Sequence, residues 1–210
     1  MRKKLLRLVL GICALAAFTS CGGEKAGGTG ELATVFVNAT APNITLNSDV
    51  ANWFDVNNAS VAACTPGSII KTTTDTATFN VTSTVYIPPN TGSTTSITPS
   101  PVSIETVTVT LIPADTLTPE LPDGFKIRNP PAGGTINPGA TVPVTVEVAG
   151  SALKEFLVNS FGSRSITCSN QVTYTYRAVV SFKVIENTTN REDTVTATGY
   201  LAIEFKDVPD

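Results

Sequence analysis

The chain contains no histidine, one tryptophan (Trp53) and no methionine after Met1. The missing imidazole excludes Ser-His-Asp and Cys-His catalysis, the usual zinc and copper ligand sets and haem ligation by imidazole. All of these need a side chain that is a neutral base or ligand near physiological pH. The sequence also lacks a Cys-x-x-Cys-His haem attachment, a P-loop and a Gly-x-Gly-x-x-Gly dinucleotide fingerprint. Basic clusters are missing as well. Beyond residue 20 only six Lys and four Arg remain, singly placed against seventeen acidic residues, a formal charge of −7. Neutralising nucleic-acid phosphates takes a basic stripe, so nucleic acid is excluded as a partner.

Carboxylate chemistry survives these absences. A glycosidase needs two carboxyls roughly 5 to 9.5 Å apart, and Asp49 with Asp55, or Asp115 with Glu120 and Asp123, are the pairs to consider. Solvated acidic loops are the simpler expectation, so no catalytic residue is assigned and the chain is read as a non-enzyme. Asp55-Val56-Asn57-Asn58 and the stretch Asn187 to Asp193 hold oxygen ligands suited to calcium but lack EF-hand order. No metal or cofactor is assigned. Trp53, beside Phe54, offers either an exposed ring for stacking on a sugar or a partner, or a plug for the core. It is the one possible ligand contact, with the plug the expected role.

What is abundant is Thr and Val, with Leu sparse, the composition of strands. About 190 residues beyond the first twenty suffice for a self-sufficient core. Leu32 to Val37 reads as a first strand, and Asn43 to Val50 as a second or as an extended connection. Ala77, Phe79, Val81, Val85 and Ile87 alternate with Thr78, Asn80, Thr82, Thr84 and Tyr86, a strand with one buried face. Pro88 to Gly92 ends it. A strand resumes from Val102 to Ile112, with a change of phase that predicts a bulge or bend near Glu105. Gly124 to Asn129 reads as a short strand. Val142, Val144, Val146 and Val148 share a face, and Pro143 among them predicts an edge strand or a strand end. Ser151 to Asn159 is the only credible helix, with Ser151 as its cap. The rows Val172, Tyr174, Tyr176, Ala178, Val180, Phe182, Val184 and Val195, Ala197, Gly199, Leu201, Ile203, Phe205 predict a hairpin across a polar turn from Glu186 to Asp193, at the centre of the core. The fold class expected is all-β, an antiparallel β-sandwich with one short helix.

The first residues have the layout of an export signal. Arg2, Lys3, Lys4 and Arg7 precede an apolar stretch from Leu8 to Phe18, which is short for a permanent span, and the small residues Thr19 and Ser20 precede Cys21. Phe18-Thr19-Ser20-Cys21 resembles the lipobox of bacterial lipoproteins, with Phe18 where Leu is usual. That resemblance implies cleavage before Cys21 and attachment of acyl chains, palmitate among them, to Cys21. Gly22 instead of Asp after it implies an outer-membrane destination in the bacterial envelope. Residues 1–20 are then the signal, 21–31 a Gly-rich tether and 32–210 the β-sandwich domain. With Cys13 removed and Cys21 lipidated, Cys64 and Cys168 are left as an even pair in an oxidising compartment, expected to form a disulfide. The run Thr135 to Val148 is similar to a strand of bacterial immunoglobulin-like and fibronectin-type modules. This implies an immunoglobulin-like sandwich, although Cys64 and Cys168 stand too far apart for the bridge of one standard immunoglobulin domain.

The expected function is a membrane-anchored, non-enzymatic binding, adhesion or envelope-assembly module whose partner is an envelope protein or a glycan. A carbohydrate-binding or carboxylate-based glycan-active protein is the second class. A structural subunit of a surface fibre, completed by strand exchange at residues 141 to 148, is the third.

Overall fold

A computed structural model describes residues 29–62, 65–66, 68–86, 98–160 and 172–207. The expected signal, Cys21 with its first glycines, Cys64, Cys168 and the turn from Pro88 to Gly92 lie outside them. In chain order the elements are β1 (Thr29–Glu31), β2 (Val35–Thr40), β3 (Ile44–Asp49), β4 (Asn52–Phe54), β5 (Ile69–Lys71), β6 (Asp75–Val85) and β7 (Val102–Pro113). They continue with α1 (Asp123–Lys126), β8 (Ile127–Arg128), β9 (Gly134–Ile136), β10 (Thr141–Ala149), α2 (Ser151–Asn159), β11 (Tyr174–Glu186), β12 (Glu192–Thr196) and β13 (Leu201–Lys206).

The protein is mostly β. A four-stranded sheet runs β1-β2-β6-β10, and a seven-stranded, curled sheet runs β3-β13-β11-β7-β8, with β12 on β11 and β9 on β7. Both send their apolar rows into one shared core. Phe79 of β6 meets Phe182 of β11 edge to face across it, ring centroids 5.8 Å apart. Burying aromatic and β-branched side chains from two facing layers removes the apolar half of each strand from water, and this drives the assembly. Nearly every pairing is antiparallel. Among the described strands the exception is β3, which runs parallel to β13, Ile44 opposite Leu201 through Asp49 opposite Lys206.

The expected bulge is present at Glu105. Thr106 pairs with Lys183 and Ile104 with Val184, so Glu105 is the extra residue that lets Ile104 on one side of it and Val107 on the other both face the core. Pro143 stands on β10, at the edge of its sheet and opposite Asn80, where its missing N–H breaks no ladder bond. The row from Tyr174 to Val184 is buried as expected.

Four expectations require correction. The second arm of the hairpin is two strands, because Arg177 pairs with Ala202 but Ser181 with Thr196, leaving two extra residues on the returning arm. That excursion lets Thr198 bond the carbonyl of Ala39 (2.8 Å) and Ala41 bond the carbonyl of Thr198 (2.7 Å), where the chain crosses from β2 to β3. Gly199 takes φ 109° there, and a Cβ would meet Asn43 Oδ1 at 2.7 Å, so only glycine fits. Residues Asp123–Lys126 form a helical turn instead of a strand, with only Ile127 and Arg128 pairing onto β7, so two helices are described, not one. Finally, Ser151 is the first residue of α2 rather than its cap. Gly150 holds the cap position, and its carbonyl accepts from Lys154 N–H at 3.3 Å. The tether is also shorter than expected: its last three residues are β1, paired with β2 from Thr29 opposite Asn38 to Glu31 opposite Phe36.

Candidate functional site

Two regions carry what chemistry the described residues offer: one end of the domain, where β3, β6, β10 and α2 meet, and the outer face of the four-stranded sheet. At the end, α2 folds back from β10 with Leu153, Leu157 and Val158 buried, and Phe156 stacks on Phe125 of α1 at 4.7 Å. One turn of that buried stripe is a lysine. Lys154 is fully enclosed, its Nζ 2.9 Å from Asp75 Oδ2 and 2.9 Å from the carbonyl of Asp49. Ser48 donates its hydroxyl to the same Asp75 oxygen at 2.5 Å. An enclosed ammonium is tolerated only when a counter-charge and acceptors surround it. Here they come from the end of β3 and the start of β6, so the cluster fastens both sheets to the helix.

Beside it, β4 and β5 form a small hairpin. Trp53 and Ile70 point inward, and the indole is 9% exposed and donates from Nε1 to Asp207 Oδ1 at 3.4 Å. Trp53 therefore acts as a plug and offers no open ring for stacking. The opposite face of the hairpin carries Phe54, Ile69 and Lys71, with the Lys71 ammonium 4.7 Å from the Phe54 ring centre. An open hollow of about 370 Å³ lies between β5 and α2, lined by Ser68, Ile70, Glu155, Val158 and Asn159. A second of about 200 Å³ is lined by Asp55, Val56, Val61, Thr65, Pro66 and Ser68. Each contains one carboxylate, so neither pairs two carboxyls across a substrate.

The other carboxylates singled out by the sequence are bound into turns. Asp55 Oδ1 accepts the N–H of Asn57 (2.8 Å) and Ala59 (2.9 Å), and the Ala59 bond above all holds the carboxyl below its usual range. Asp115 does the same for Thr118 (2.7 Å) and Leu117 (2.8 Å), and the Thr118 bond is the main cause of its lowered value. Glu120 pairs with Lys126 at 3.2 Å, and Asp123 sits in the first turn of α1. In the stretch expected to suit calcium, Asp193 Oδ2 accepts Glu31 N–H at 2.8 Å and Oδ1 accepts Thr194 N–H at 2.7 Å. Among the described residues no group of three or more acidic or Cys side chains is placed to hold a metal ion.

The second region is the outer face of the four-stranded sheet. Register places Phe36, Asn38 and Thr40 of β2 beside Thr84, Thr82 and Asn80 of β6, and these beside Thr141 and Pro143 of β10, with Thr78 beside Thr145 and Thr76 beside Glu147. Hydroxyls touch across the strands, Thr82 with Thr141 at 2.8 Å and Thr78 with Thr145 at 3.4 Å. At one end Tyr86 meets Phe36 edge to face, centroids 5.1 Å apart. Among the described residues its charged side chains stand at the margins: Glu31 on β1, by register with Phe36, and Glu147 on β10, held by Arg128 at 3.1 Å.

No protein-family model matches the chain, and no curated protein or solved structure matches it either. Sequence reasoning missed Lys154, Asp75 and Glu186, all structural, although position gave a signal for two of them. Lys154 lies four residues before Val158 on the buried side of α2. Glu186 continues the inward parity of Val180, Phe182 and Val184.

Proposed function

We propose that the protein is an exported bacterial lipoprotein, anchored through Cys21 to the envelope, with the outer membrane as its destination. Its folded part, read as an immunoglobulin-like sandwich, serves as a non-enzymatic binding, adhesion or envelope-assembly module. The observation that carries this reading is Phe18-Thr19-Ser20-Cys21 followed by Gly22, Gly23, Gly27 and Gly28, which leads straight into β1 at Thr29. Seven residues separate Cys21 from β1. Fully extended they reach roughly 25 Å, which holds the domain close to the lipid surface while letting it turn. Several acyl chains on one residue give firm anchoring where a single chain would exchange. The expected result for Cys21→Ser is loss of fatty-acid labelling and accumulation of the uncleaved precursor, while the wild type is labelled and processed. A wild-type chain that takes up no more labelled fatty acid than the variant contradicts the anchor.

Export also places Cys64 and Cys168 in an oxidising compartment. A bridge between them closes a loop of roughly 100 residues, for which chain entropy gives up to about 4.7 kcal/mol. Unreduced protein alkylated under denaturing conditions is expected to take no label at either cysteine and two labels after reduction. Full labelling without reductant rules the bridge out.

A further inference from the structure

We propose that the outer face of the four-stranded sheet is the docking face of this binding module and that its ligand is an uncharged polysaccharide; the proposal rests on the binding-module reading above. The first ground is the distribution of charge. Both sheets draw on the same Thr-rich composition, yet they differ outside. The seven-stranded sheet carries Lys183 between Glu105 (2.5 Å) and Glu192 (2.9 Å), exposed Arg177, and Glu204 with Lys206 (3.9 Å). Among the described residues the four-stranded sheet has none of this between its margins: Asn38, Thr40, Thr76, Thr78, Asn80, Thr84, Thr141 and Thr145 are all exposed and all uncharged.

Exposed sheet surfaces, and edge strands above all, ordinarily carry Lys and Glu, which keep them soluble and block pairing with other chains. Strand β10 is such an edge, with Pro143 within it and a single charged residue, Glu147, near its end. A charged partner such as nucleic acid, an anionic lipid surface or an acidic peptide needs complementary charge, and among the described residues this face offers none between Glu31 and Glu147 at its margins.

The second ground is the chemistry that is present. Each Thr hydroxyl and Asn amide both donates and accepts, as sugar hydroxyls do, and each Thr adds a methyl group. Side chains repeat about every 6.7 Å along a strand and about 4.8 Å across strands, a grid on the scale of a sugar ring. At one end of the grid, half-buried Phe36 and Tyr86 add an aromatic pair on the same face, where apolar C–H surface of a pyranose can rest. Trp53 lies in the core, so it is this pair, and not the tryptophan, that supplies the aromatic surface.

The test is sedimentation of the detergent-solubilised full chain with insoluble cellulose, chitin, β-1,3-glucan and starch, at low and high salt. The chain is expected to sediment with at least one of them, with no loss at high salt, since no ion pair is involved. Phe36→Ala and Asn80→Lys are each expected to lower the bound fraction at least tenfold while Thr106→Lys, on the other sheet, leaves it unchanged, all three with native circular dichroism. A chain that stays in solution with every polysaccharide overturns the proposal. So does binding that Asn80→Lys and Phe36→Ala leave intact, or a self-association that Asn80→Lys abolishes without any glycan retention. Because the assay does not depend on the anchor, its failure leaves Cys21 lipidation standing, and unlipidated protein that binds leaves this inference standing.

Discussion

Asp75→Ala is expected to destabilise the domain by about 3–5 kcal/mol, the cost of leaving an enclosed charge without its partner. Lys154 has no exposed side-chain surface, and Asp75 is its only counter-ion within 4.0 Å among the described residues. Among the described residues, removing the carboxylate leaves the ammonium with the Asp49 carbonyl alone, and the Ser48 hydroxyl, also buried, loses its acceptor. The reverse change costs less. In Lys154→Met the thioether fills most of the same volume, and Asp75, 20% exposed, can take water in place of the ammonium. The expected loss for Lys154→Met is less than half that of Asp75→Ala, read from urea midpoints at neutral pH with unchanged slopes. Equal losses for the two variants would show that the burial of the cation is not the source of the cost.

The second large effect is at Glu186, at the opposite end of β11. Its carboxylate is buried and accepts Thr34 N–H at 2.9 Å, Ala33 N–H at 3.1 Å and the hydroxyls of Thr34 and Thr189. Burial by itself pushes this carboxyl up, but the Thr189, Thr34 and Ala33 bonds outweigh it and hold it below its ordinary value of 4.5. Glu186→Ala strands the two backbone donors that join β1 to β2, each worth about 1–3 kcal/mol when buried without a partner. A loss of about 3 kcal/mol at pH 7 is expected, together with faster proteolysis ahead of Val35.

The pH dependence follows from the sign of the shift. A carboxyl whose folded value is depressed binds fewer protons folded than unfolded. Its contribution is complete above the unfolded value and is lost as pH falls through the folded one. The gap in stability between wild type and Glu186→Ala is therefore expected to be widest at neutral pH and to narrow below about pH 4.5. Urea titrations at pH 7 and at pH 3 measure it, and a gap that is constant or wider in acid would contradict the assignment.

Where strand periodicity was long, the sequence was enough. The Glu105 bulge is written in the change of parity between Ile104 and Val107, and the edge position of β10 in Pro143, whose ring cannot join a central ladder. Short or interrupted elements resisted because too few residues set their phase. Trp53 and Phe54 sit in a strand of three residues, so nothing local decides which ring turns inward. Phe125 and Ile127 alternate like a strand, yet Pro122 and Asp123 start a helical turn that hydrogen-bonds to the Pro122 carbonyl. The parallel match of β3 to β13 joins segments from opposite ends of the chain and leaves no local trace. Glu186 reads as the opening of a polar turn because charge is expected outside. Its burial depends on two backbone donors more than 150 residues away in sequence.

The charge-free face was visible residue by residue as the polar half of the β6 alternation. What the sequence could not show is that β2 and β10 flank it in register and continue it.

The most direct test of the anchored-module reading is the intact mass of the chain purified from bacterial membranes. The expected species begins at Cys21 and exceeds the mass of residues 21–210 by a diacylglyceryl group plus an N-linked acyl chain, and it disappears in favour of the uncleaved precursor when lipoprotein signal peptidase is inhibited with globomycin. A mature chain that begins elsewhere, or begins at Cys21 with no added mass, would contradict it.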